Sequence, residues 1–142
     1  MSLFHQIALS CLPGIGSVLA RNLLSYFGNE EEIFKAKSKQ LSKVPGIGPK
    51  TKELILNHEV FRFAEDELKF IEKYKIRPYF LTDKDYPKRL KNCADAPVML
   101  YFKGNADLNS TKIISIVGTR NATEYGKEIC KSLIFDLKKH NP

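Results

Sequence analysis

The run Lys112–Gly126, KIISIVGTRNATEYG, gathers the groups that hold a phosphate. Ile113–Val117 reads as a strand that is apolar on both faces except at Ser115, the pattern of a parallel strand covered by helices. Gly118–Thr123 then forms a polar turn with one cation, Arg120, and Thr123 stands where a helix N-cap belongs. Backbone amides, a helix N-terminus and a guanidinium fork at one spot suit an anion. The run lacks the dinucleotide fingerprint, because no GxGxxG lies between Gly118 and Gly126. A Walker A loop is excluded as well, since Gly126-Lys127 is followed by Glu128 and the helix begins before it. The candidate ligands are therefore Gly118, Thr119, Arg120, Asn121 and Thr123.

A second phosphate chemistry lies upstream. Residues 12–16 read LPGIG and residues 44–48 read VPGIG, an internal repeat 32 residues apart. Gly14, Gly16, Gly46 and Gly48 allow positive φ and leave no side chain, so turn amides can approach a phosphate closely. Ile15 and Ile47 read as core anchors. The pattern resembles the h-x-G-h-G signature of helix-hairpin-helix DNA-binding motifs, which read backbone rather than bases. Lys50 and Lys52 follow the second hairpin, whereas the first has Ser17 and, further on, Arg21, so the second is the stronger DNA candidate. The competing reading makes the pair a packing unit, its glycines serving only the tight turns.

These sites need elements to carry them. Apolar spacing predicts helices over Leu3–Cys11, Ser17–Tyr26, Lys50–Leu56 and about Glu59–Tyr74, with a less regular stretch over Phe34–Leu41. Asn29-Glu-Glu-Glu32 reads as an N-cap with carboxylates in the first turn. Val60, Ala64, Leu68 and Ile71, widened by Phe61, Phe63 and Phe70, make a broad buried stripe. Arg77–Thr82 and Pro97–Phe102 read as strands, with a short helical piece near Tyr86–Leu90. The sequence thus predicts a mixed α+β chain. Residues 1–75 would be an all-α domain, and residues 76–142 the first strands and helix of a Rossmann-like α/β domain. Because Lys112–Gly126 comes so late, that second domain is expected to continue beyond Pro142.

The 142-residue chain carries a net charge of +7 from 23 basic and 16 acidic side chains. The excess sits at the two ends: 7 basic against 4 acidic in Met1–Asn57, and 12 against 7 in Arg77–Pro142. A polyanionic partner fits this distribution. Cys11, Cys93 and Cys130 form no ligand spacing, so neither a disulfide framework nor a metal site is indicated. No apolar stretch approaches a membrane span and no signal peptide is evident, which places the chain in the cytoplasm.

Residues Gly118–Gly126 are similar to the G-[ST]-R-x-x-[ST]-x-Y-G signature of the DNA processing protein A family (DprA, also called Smf). The lead-in Tyr86-Pro87-x-x-Leu90, then Asp95-x-Pro97-x-x-Leu100 and Gly104, resembles that family too, and a helical domain of helix-hairpin-helix or sterile-alpha-motif-like character before it is a common family arrangement. The resemblance implies a non-enzymatic single-stranded-DNA-binding protein of natural transformation, without cofactor. Such proteins protect incoming strands, load the RecA recombinase and act as homodimers. Carried over by position, Gly118, Thr119, Arg120 and Thr123 belong to the DNA-contacting loop, while Tyr125 and Gly126 shape it. Rival readings are a nucleotide-processing Rossmann-like hydrolase and a helical protein-interaction module. His5, His58 and His140 are scattered and read as filler, with no catalytic residue assigned. Asp83, Asp85 and Asp95 read as turn and cap residues. Phe61, Phe63, Phe70, Tyr79 and Phe80 could stack bases, but their spacing assigns most of them to the core.

Overall fold

A computed structural model describes residues 2–140, the side chain of His140 excepted. The chain separates into two compact units, residues 1–108 and 109–142.

The first unit is built on six helices: α1 (Leu3–Ser10), α2 (Ser17–Phe27), α3 (Glu30–Lys35), α4 (Ser38–Leu41), α5 (Pro49–Leu56) and α6 (Val60–Tyr74). Then follow strand β1 (Arg77–Phe80), the single turn α7 (Lys88–Lys91) and strand β2 (Met99–Phe102). Ile7, Ala8 and Leu9 of α1 are wholly buried, and α1 packs lengthwise on α6 through Val60, Ala64 and Ile71. Leu23 of α2, Ile33 of α3 and Leu41 of α4 complete one continuous core with them. The predicted N-cap at Asn29 is present: its Oδ1 accepts from Glu32 N at 2.9 Å, with Glu30, Glu31 and Glu32 in the first turn. Two caps turn the chain between α2 and α3: Gly28, left-handed at φ +82°, ends α2, and Asn29 supplies the acceptor that the start of α3 lacks.

β1 and β2 pair antiparallel, Arg77 opposite Phe102 and Phe80 opposite Met99. The sequence expects these strands to open an α/β domain. They pair with each other in a two-stranded antiparallel sheet, and both lie in the first compact unit. Tyr86 fixes the connection between the strands, and Arg21 ties that connection to α2. Tyr86, 1% exposed, donates its hydroxyl to the Pro97 carbonyl at 2.6 Å. Arg21 of α2 donates through Nη2 to the Cys93 carbonyl at 2.9 Å and, at 3.5 Å, to that of Lys91. The spacing of Tyr86 and Pro97 in the lead-in therefore has a packing cause.

The second unit contains α8 (Glu124–Leu137), continued by a 3-10 turn over Lys138–His140. The strand predicted over Ile113–Val117 is not formed: the segment is irregular and exposed, Val117 at 91%. An apolar run becomes a strand only when a neighbour takes its N–H and C=O groups, and no such neighbour exists among the described residues. The parallel sheet of a Rossmann-like fold is accordingly absent from the described residues.

Candidate nucleic-acid interface

The two PGIG turns are geometric copies. Ile15 N donates to Leu12 O at 3.1 Å and Ile47 N to Val44 O at 3.2 Å. Ala20 N then bonds Gly16 O at 3.0 Å, and Lys52 N bonds Gly48 O at 2.9 Å, so each hairpin feeds directly into a helix. Ile15 is buried and Ile47 packs against the same core, as expected of anchors. The turns brace one another. Gly14 faces Leu54 of α5, Gly46 faces Leu19 of α2, and Asn22 of α2 donates through Nδ2 to Pro45 O at 3.0 Å.

The four glycines divide into two kinds. Gly14 and Gly46 have φ of +72° and +84°, and a Cβ on Gly46 would lie 2.7 Å from Leu19 Cδ2. These two are required by the turn itself. Gly16 and Gly48 have φ of −81° and −85°, in extended backbone, and a Cβ on either would meet nothing within 4 Å. The expectation that all four serve positive φ is therefore corrected. Gly16 and Gly48 occupy the N-cap positions of α2 and α5, and neither helix start has a side-chain cap. Open space beside uncapped amides is the geometry of an anion site.

The charges around the hairpins differ. Lys50 is exposed on the first turn of α5, and Lys52 donates from Nζ to Ser42 Oγ at 3.2 Å, which holds it beside the second turn. Arg21, the cation that follows the first hairpin in sequence, is committed to the carbonyls of Lys91 and Cys93 at the end of α7. A contact spanning 72 residues of sequence gives no local signal, so the sequence could not reveal that role. The asymmetry leaves the second hairpin with the available cations.

In the second unit, Thr123 caps α8 as predicted: its Oγ1 accepts from Gly126 N at 3.1 Å. Thr119 Oγ1 donates to Asn121 O at 3.0 Å and closes the turn. Gly118, Thr119, Arg120, Asn121 and Thr123 are all exposed. Lys127 is paired with Glu124 at 2.6 Å, whereas Arg120 has no hydrogen bond or ion pair among the described residues. One unneutralised guanidinium thus stands at the helix start.

The aromatic side chains divide between core and surface. Phe80 is buried, and Phe61 joins Phe4, Phe34, His5 and His58 in a packed ring cluster. Burial lowers the His58 pKa below that of a free imidazole, consistent with a structural histidine. Phe63 and Phe70 are about half exposed, however, as are Tyr74 and Tyr101. Desolvation first, then the neighbouring Glu67 carboxylate, raises the Tyr101 phenol to about 12. Among the described residues no His, Cys, Asp and Glu cluster suits a metal ion, and no helix is long and apolar enough to cross a membrane.

Comparison with known proteins bears on both sites. The family model for DNA recombination-mediator protein A matches residues 77–142, and that for the SAM-like helix-hairpin-helix tandem matches residues 7–58. Protein Smf of Synechocystis sp. is 33% identical over 142 aligned residues, which cover 95% of this chain and 35% of that protein. DNA processing protein DprA of Bacillus subtilis is 35% identical over 90 residues, 61% of this chain and 30% of that protein. UvrABC system protein C of a Wolbachia species is 42% identical over 50 residues, 35% of this chain and 8% of that protein. No solved structure matches the chain significantly. The chain spans about a third of the length of the Smf and DprA relatives. With a helix-hairpin-helix tandem followed by a recombination-mediator segment, and Protein Smf similar along 95% of this chain, the chain belongs to the DNA processing protein A (DprA/Smf) family.

Proposed function

We propose that the chain binds single-stranded DNA through its phosphates, without sequence preference, in a DNA-processing role in recombination. Arg120 is the principal ligand, with Gly118, Thr119, Asn121 and Thr123 forming its cradle. The observation that carries the reading is the unpaired Arg120 guanidinium beside a capped helix start, in a turn that carries the family signature. Gly48, Lys50 and Lys52 of the second hairpin supply an auxiliary phosphate contact, with Gly46 shaping the turn; Gly14 and Gly16 belong to its weaker counterpart. Residues 1–75 act as the helical module and residues 76–142 as the opening of a Rossmann-like module, a division supported by the ranges of the two family models. In the intact cytoplasmic protein, a homodimer, this chemistry protects incoming strands and delivers them to RecA during natural transformation. The work is binding rather than catalysis.

Fluorescence anisotropy with labelled 20-mers of four unrelated sequences tests the central part. Phosphate readout predicts affinities within about threefold of one another and a linear fall of log K with log salt. A spread beyond about a hundredfold, or no salt dependence, would contradict it.

A further inference from the structure

We propose that one face of the first unit, formed by α6 and β2, is a platform on which unpaired bases of a single strand stack. The inference rests on the single-strand reading above and adds a second contact chemistry to it. Phe63, Glu67, Phe70 and Tyr74 recur at spacings of four, three and four, so they line one edge of α6 beside the buried stripe Val60, Ala64 and Ile71. Three of these four are aromatic, with exposures of 55% for Phe63, 48% for Phe70 and 41% for Tyr74. Tyr101 on β2, 43% exposed, lies near Glu67 of this edge, and Lys103, just after β2, reaches over the Tyr74 ring. Exposed rings gathered along one edge of a small unit mark an interaction surface.

The chemistry around the rings selects the occupant. Lys73 Nζ lies 5.4 Å and Lys103 Nζ 5.7 Å from the centre of the Tyr74 ring. Phe70 and Tyr74 pack with centroids 4.4 Å apart and planes at 46°. Rings flanked by ammonium groups match an alternation of bases and phosphates; a partner helix would ask for an aliphatic groove. At the Phe63 end a cavity of about 500 Å³, lined by Cys11, Pro13, Leu54, His58 and Val60 among others, has room for a splayed base. Glu67 on this edge and Glu59, which borders the cavity, are acidic and oppose phosphate there, so neutralising Glu67 should tighten binding.

The test compares oligo-dT15 with an abasic 15-mer of identical phosphate spacing, using the whole chain and anisotropy. Wild type should bind oligo-dT15 about tenfold or more tighter than the abasic strand. Phe70→Leu/Tyr74→Leu, with folding checked by circular dichroism, should bring oligo-dT15 down to the abasic affinity and leave abasic binding unchanged. Glu67→Gln should tighten both. Crosslinks from 5-iodouracil should fall on Tyr74 or Tyr101. A wild-type preference for oligo-dT15 retained in the double variant, or crosslinks confined to other residues, overturns the proposal. So does unchanged DNA binding accompanied by lost self-association in ultracentrifugation, which would make the face a protein interface. The phosphate reading fails separately: Arg120→Ala and Lys50→Ala/Lys52→Ala would then leave binding to both strands unaltered. Binding of wild type to neither strand overturns both.

Discussion

Replacing Gly46 and Gly48 by alanine, one at a time, separates the structural from the functional glycines. At Gly46 the backbone lies at φ +84°, a left-handed conformation costing a non-glycine residue about 1–2 kcal/mol. The new Cβ would also sit 2.7 Å from Leu19 Cδ2, and moving that methyl off its rotamer adds about 0.5–1.5 kcal/mol. Gly46→Ala should therefore destabilise the chain by about 2–3 kcal/mol. At Gly48, φ is −85° and the Cβ meets nothing. Losing an N-cap glycine costs about 0.5 kcal/mol, and the stiffer unfolded chain returns about as much, so Gly48→Ala should be neutral within about 0.5 kcal/mol. Urea denaturation followed at 222 nm reads both values. The same methyl on Gly48 enters the space beside the uncapped amides of α5, so this stable variant should bind single strands several-fold more weakly. Equal stability losses at the two positions would refute the division of the glycines, as would a Gly46→Ala variant as stable as wild type.

Three further outcomes follow from the packing. Tyr86→Phe deletes the donor to the Pro97 carbonyl and should cost about 1 kcal/mol in chemical denaturation, with strand binding retained. Lys75, at φ 52°, is the one non-glycine residue with positive φ among the described residues, so Lys75→Gly should stabilise by about 1 kcal/mol and raise the melting temperature by a few degrees. The raised Tyr101 pKa means that the unfolded state loses its proton first, near pH 10. Its contribution to stability is then complete below pH 10 and disappears as pH rises towards about 12. Tyr101→Phe should flatten that alkaline decline in denaturation midpoints measured from pH 9 to 12.

What the sequence could reveal was what its neighbours decide. The caps at Asn29 and Thr123 and both PGIG turns are set within a few residues, and the structure places them as read. Arg21 and Tyr86 act through partners far along the chain, so their types alone carried no hint of a role. Ile113–Val117 has the composition of a covered strand, yet strand formation depends on a ladder partner that no local pattern supplies. Phe63 and Phe70, expected in the buried stripe of α6, face outward for a related reason. Val60, Phe61, Phe63, Ala64, Leu68, Phe70 and Ile71 together span about half of the helix circumference, wider than the roughly 100° that one packing face covers. The surplus had to face outward, and the periodicity could not say which flank it would be. Both flanking sets lay within the legible stripe, but only packing of α1 chose between them.

The central claim is that Arg120 grips a phosphate, and the salt dependence of single-strand binding in Arg120→Ala tests it most directly. Loss of one phosphate contact on a single strand predicts weaker binding to every sequence and a log–log slope shallower by about 0.7. An affinity and slope equal to those of wild type would contradict the account.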